Sequence, residues 1–164
     1  MKWTLKEFYG NVHNFETDPK DIKDYSKIDS ESHCLTPIHV AAGTGNTLLY
    51  EVLIEKVEEI QPKDEAGQTP FHYAVGNGHL EICRIILDQI QDKNPKDKEG
   101  GTPLHLAAFL GYFHICVAIL KEVENKNPRD KYGLTPLHSA AQNGHVLTFC
   151  AIFEQAEISI ESYK

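Results

Sequence analysis

The sequence predicts an all-α solenoid of stacked helix-turn-helix units joined by β-hairpin loops. Three observations predict it. The phrase Thr-Pro-apolar-His occurs four times, as Thr36-Pro37-Ile38-His39, Thr69-Pro70-Phe71-His72, Thr102-Pro103-Leu104-His105 and Thr135-Pro136-Leu137-His138, with 33 residues between successive copies. A glycine follows each copy in the same step, at Gly45, Gly78, Gly111 and Gly144. An apolar stretch with helical spacing comes after the glycine, as in Leu80, Cys83, Ile86, Leu87 and Ile90. Self-similarity at a fixed period marks one supersecondary unit stacked on copies of itself. Such a stack makes an extended binding surface rather than an enclosed catalytic pocket.

Each element of a unit has its own physical reason. Threonine at the N-cap offers an oxygen to a free N–H of the first helical turn. Proline at the next position lacks an N–H that would be unpaired there, and its φ is already helical. A short first helix is expected over about Pro70 to Gly76. Its small pairs, Ala41-Ala42, Ala74-Val75, Ala107-Ala108 and Ala140-Ala141, let a neighbouring helix approach closely. The glycine suits the tight turn between antiparallel helices, where φ is often positive. A longer second helix is expected over about Leu80 to Ile90. Asp-x-x-Gly before the next threonine reads as a β-turn. One unit cannot bury its own apolar face, whereas four stacked units can.

The domain plan divides the chain into 1–30, an N-terminal capping helix or degenerate repeat with a connector; 31–155, the four repeats; and 156–164, a C-terminal tail. Trp3 to Phe15 reads as a capping helix or as the second helix of a worn preceding repeat, and the charged segment Glu16 to Ser32 as an extended connector. Cys34 stands where the other units have the hairpin glycines Gly67, Gly100 and Gly133, so a distorted first turn is expected. Glu157 to Lys164 aligns with the loop Glu124 to Lys131 and reads as the start of a truncated fifth repeat. The last long helix keeps Val146, Phe149, Cys150, Ile152 and Phe153, more apolar surface than a polar terminal cap requires. The chain is therefore expected to be a fragment of a longer array.

Composition narrows the function classes. Hydrophobic residues form 41% of the chain, enough for a continuous core, yet no run nears the ~18 apolar residues of a membrane span. The start lacks the apolar core of a secretory signal, so an intracellular, cytoplasmic protein is expected. The net charge of −8 argues against nucleic acid and anionic lipid, and favours a basic patch on a partner. No membrane insertion is expected. Nine histidines and four cysteines invite a metal reading. Yet the signature histidines fall on successive units about 10 Å apart, and zinc–nitrogen bonds are about 2 Å. No metal, no cofactor and four free thiols are the expectation. Cys83 and Cys116, again 33 apart, read as buried small hydrophobes. No nucleophile elbow, phosphate loop or dinucleotide fingerprint occurs, and no catalytic residue is assigned.

These motifs resemble the ankyrin repeat family, whose 33-residue period and Thr-Pro-Leu-His-x-Ala signature the chain matches from roughly Glu31 to Gln155. The resemblance implies that His39, His72, His105 and His138 hydrogen-bond within and between hairpins. It implies a non-enzymatic protein–protein interaction module, acting as adaptor, scaffold or inhibitor, either monomeric or part of a longer array. It also allows the cytoplasmic module of a larger membrane protein such as a channel. Hydroxylation of hairpin-entry asparagines is a third implication. Asn94 and Asn127 hold that place, but Pro95 and Pro128 follow where a small residue is usual.

In the family the hairpin tips and the exposed side of the first helix line a concave recognition surface. By position these are Glu65 and Gln68, Lys98 and Glu99, and Lys131, Tyr132 and Leu134, together with the first-helix ends. Unit three departs from its sisters. It has Phe109-Leu110 where they have Gly76-Asn77 and Gln142-Asn143, and Tyr112 where they have Asn46, His79 and His145. Phe109, Leu110, Tyr112, Tyr132 and Leu134 are therefore the expected partner-binding hot spot. The bland alternative is that Phe109 and Tyr112 pack on the neighbouring unit.

Overall fold

The computed structural model describes residues 35–161, with side chains to residue 156. The readings of the N-terminal cap, the connector and Cys34 lie outside the described residues. Eight helices follow in four pairs. They are α1 (Pro37–Thr44) and α2 (Thr47–Ile54); α3 (Pro70–Gly76) and α4 (Leu80–Gln89); α5 (Pro103–Leu110) and α6 (Phe113–Glu122); and α7 (Pro136–Gln142) and α8 (Val146–Glu161). No strand occurs among the described residues. No helix among them is long and apolar enough to cross a membrane.

The first helices form one layer, and their small pairs explain how closely it packs. Ala41, Ala42, Ala74, Val75, Ala107 and Ala108 are all fully buried. The second helices supply the larger core residues: Ile82, Cys83 and Ile86 on α4, and Ile115, Cys116 and Ile119 on α6. At the end of the stack this cover stops. Ala141 is exposed, and Phe153 is 43% exposed where its counterparts Leu87 and Leu120 are buried.

The hairpin loops are held by side chains more than by strand pairing. In the first described loop, Asp64 Oδ1 accepts the N–H groups of Ala66 and Gln68, both at 2.8 Å. Successive tips are joined by one backbone bond each, Lys98 N–H to Ala66 O at 3.0 Å and Lys131 N–H to Glu99 O at 2.9 Å. Gly100 sits at this junction with φ +77°, and a Cβ there would lie 2.9 Å from the Lys131 nitrogen. Both its backbone conformation and its closeness to the next loop require glycine.

The signature threonines cap differently from the simple expectation. In all four units the Thr N–H donates to Nδ1 of the histidine three residues on, at 3.1–3.3 Å. The hydroxyl lies 2.8–3.1 Å from the same nitrogen. Imidazole thus takes the place that Glu or Gln holds in an ordinary capping box. The threonine side chain also faces the N–H of that histidine in all four units, and in Thr102 it accepts from His105 N–H at a long 3.4 Å. Thr102→Ala is expected to cost about 1 kcal/mol, within the usual capping range. Thr102→Ser should retain most of that stability. Urea midpoints of the three proteins test this, and an unchanged midpoint for the alanine variant would remove the capping role.

The last helix is longer than expected. It should end near Gln155, in register with α4 and α6, but it runs to Glu161. In the sister units, Lys93 Nζ donates to Leu87 O and Lys126 Nζ to Leu120 O, closing the helix ends. Asn94 and Asn127 then accept from Leu104 N–H and Leu137 N–H of the following unit, at 3.2 and 3.5 Å. The matching positions of the last unit are Ser159 and Ile160, so neither stop is encoded there.

Candidate functional site

The signature histidines build the base of the surface. Because Nδ1 accepts from the threonine N–H, the ring hydrogen is assigned to Nε2. Nε2 then donates to a carbonyl of the next loop: His39 to Gln68 O at 3.2 Å, His72 to Gly101 O at 3.5 Å, and His105 to Leu134 O at 3.1 Å. Each imidazole therefore ties its own helix start to the following hairpin and fixes where that tip stands. Burial pushes the three ring pKa values down, that of His72 to about 4, against smaller opposing contributions from the carbonyl bonds.

On the tips, Glu99, Lys131 and Tyr132 come together. Lys131 Nζ pairs with Glu99 Oε2, and Tyr132 O–H donates to the same carboxylate at 3.0 Å. The Lys131 ammonium also lies 4.9 Å from the Tyr132 ring centroid, within cation–π range. The hydrogen bond from Lys131 is the main cause lowering the Glu99 pKa, and it raises that of Lys131. These groups are exposed, so water and salt weaken the pair. Its consequence is geometric: the Tyr132 ring, 69% exposed, is held in place by a neighbour from the preceding tip. Leu134 is exposed beside it. Glu65 and Lys98 are exposed on the earlier tips, while Gln68 is half-buried.

The other apolar candidates lie at the far end of the first-helix layer. Phe109 is 51% exposed, and Leu110 and Tyr112 are half-buried. Eight helical residues span about 12 Å, so α5 separates this group from the hairpin edge. Tyr112 packs against the core. Its ring covers Gly78, where an added Cβ would lie 3.3 Å from it.

Two histidines carry a contact that the sequence reading did not assign. His79 Nε2 donates to Gly43 O, and His145 Nε2 to Phe109 O, both at 3.0 Å. They occupy the position that holds Tyr112 in unit three, so the 33-residue register was the available signal. The His145 bond anchors the backbone under Phe109.

Asn94 and Asn127 spend their side-chain oxygens on the next helix start, as described above. Cys83, Cys116 and Cys150 are free, and burial pushes the first two thiols up to about 12. No group of three or more metal-ligating side chains gathers among the described residues.

A family model described as Ankyrin repeats (3 copies) matches residues 15–97 and 89–162, together most of the chain. No curated protein matches it.

Proposed function

The chain belongs to the ankyrin repeat family, and from that premise we propose that its hairpin-tip and first-helix surface recognises a partner protein. Ankyrin repeats are generally protein–protein interaction modules, and the family is typically non-enzymatic. In this reading the protein is an adaptor, scaffold or inhibitor. The observation that carries it is the exposure of Phe109, Tyr132 and Leu134 on a frame that is otherwise closely bonded. A large aromatic held in position loses little entropy on binding, which is how a few side chains come to dominate interface energy. Leu110 and Tyr112, both half-buried, follow Phe109 in the chain. Glu65, Gln68, Lys98, Glu99 and Lys131 form the polar rim.

Phe109→Ala and Tyr132→Ala are each expected to weaken the complex by more than about 1–2 kcal/mol. The measurement uses a partner captured with the wild-type protein from its native source. Affinity for that partner is then compared across the variants, with the urea midpoint beside it. Unchanged affinity together with a large fall in midpoint would place these side chains in the packing between units and end the hot-spot reading.

A further inference from the structure

The hairpin edge carries a cation in the same place of three successive loops: Lys63, Lys96 and Arg129. All three are exposed. Each is held by a neutral backbone carbonyl: Lys63 Nζ donates to Lys96 O at 2.8 Å, Lys96 Nζ to Arg129 O at 3.2 Å, and the Arg129 guanidinium to Gly133 O at 3.0 Å. A carbonyl orients a cation without cancelling its charge. An ammonium with one N–H engaged keeps two more to donate, and a guanidinium keeps four.

The aspartates on this edge are tied to the backbone of their own turns, which orients them and, as with the cations, leaves their charge in place. Oδ1 of Asp64, of Asp97 and of Asp130 accepts two backbone N–H groups of its own turn. Glu99 is engaged by Lys131 and Tyr132. Glu65 is the other exposed carboxylate, against the exposed cations Lys63, Lys96, Lys98, Arg129 and Lys131. The chain's excess of acid lies elsewhere, as on the second helices and their ends at Glu51, Glu55, Asp88, Glu122 and Glu154. By count the edge is balanced, with Lys63, Lys96, Lys98, Arg129 and Lys131 against Asp64, Glu65, Asp97, Glu99 and Asp130, so the net charge of −8 misdescribes it.

We propose that the row Lys63, Lys96 and Arg129 seats an extended acidic segment of the partner protein, with carboxylates about three residues apart. This deepens the recognition reading above and rests on it. The spacing follows from the stack. Units lie about 10 Å apart, and a segment in the polyproline II conformation rises about 3.1 Å per residue with about three residues per turn, so every third side chain returns to the same face and meets a cation. Charge complementarity of this kind governs register and association rate more than raw affinity. A nucleic acid strand fits less well, because the acidic second-helix layer repels a polyanion that spreads beyond the row.

The test uses the full chain and four fluorescent probes: a twelve-residue peptide with Glu at every third position and Ser between, the same composition with Glu contiguous, the Lys counterpart of the first, and a single-stranded oligothymidine. Saturable, salt-sensitive binding of the spaced Glu peptide is expected, with weaker binding of the contiguous one and none of the Lys peptide. The variants Lys63→Gln/Lys96→Gln/Arg129→Gln and Lys63→Glu/Lys96→Glu/Arg129→Glu should each lose about tenfold or more in affinity. Both should keep the wild-type urea midpoint, since the changed side chains are exposed. Three outcomes overturn the proposal: binding of the spaced peptide that survives charge reversal, no binding of that peptide, or tighter binding of the oligonucleotide. If the acidic peptide fails while Tyr132→Ala still weakens a purified complex, recognition by the tips stands and the cation row is not its site.

Discussion

Acidification from pH 7.5 to pH 4 is expected to cost the folded state about 3 kcal/mol through His72 alone, whose pKa is pushed down to about 4. An unfolded imidazole takes up a proton near pH 6.5, whereas the folded His72 resists until about 4. Between those values the unfolded chain binds more protons, so stability falls as pH falls. The contribution is complete above about 6.5 and fully lost below about 4. Burial is the main cause. The bonding pattern gives it a structural form: a protonated Nδ1 becomes a donor and can no longer accept from Thr69 N–H. His39 and His105 are shifted in the same direction by the same cause and add to the loss. Urea midpoints from pH 7.5 to 4.5, measured for wild type and His72→Gln, test this. The variant should start lower at pH 7.5 but decline less steeply. Parallel pH profiles would mean that His72 titrates normally in the fold.

Phe71→Ala should be the most costly single change, at about 3–5 kcal/mol. Phe71 is fully buried, at the start of α3 between the first and third described units. A typical domain has only about 5–15 kcal/mol in total, and each unit depends on its neighbours for cover. Equilibrium urea unfolding should therefore show a large drop in midpoint. A broadened transition is also expected, as the units on either side uncouple. Phe109→Ala removes the same ring from an exposed site and should change stability by no more than about 0.5 kcal/mol. Similar effects at the two positions would contradict the division between core and binding surface. A drop below about 1 kcal/mol for Phe71→Ala would show that the stack closes around the missing ring.

The proposed binding surface was only partly legible. Tyr132 and Leu134 were located by their hairpin register, and both are exposed. Phe109 stood out because its sister positions are polar or glycine, and it too is exposed. Tyr112 stood out for the same reason, yet it is half-buried over Gly78. Sequence position shows that a side chain departs from its sisters. It does not show whether the preceding unit comes close enough to cover it. The whole-chain charge is limited in a similar way, since a sum over residues carries no information about which layer each one occupies.

The sequence by itself determined the repeat, its 33-residue period and the family, because these depend on residues close together in the chain. Proline at a helix start and glycine at a positive φ act through their own backbone, so their meaning is readable wherever they occur. Only the tertiary structure decided what the side chains of that repeat touch. His39, His72 and His105 reach carbonyls 29 residues away. Lys63 and Lys96 reach carbonyls 33 residues away, and His79 and His145 carbonyls 36 away. Such contacts depend on the distance and rotation between successive units, which the packing of the buried alanines and aliphatic residues sets. The end of α8 has both origins, because Ser159 and Ile160 replace the lysine and asparagine of the sister units and the asparagine contact needs a following unit. A helix stops in the sister units where a lysine closes its last carbonyls and an asparagine is held by the next unit, and at the end of the described stack neither partner is present.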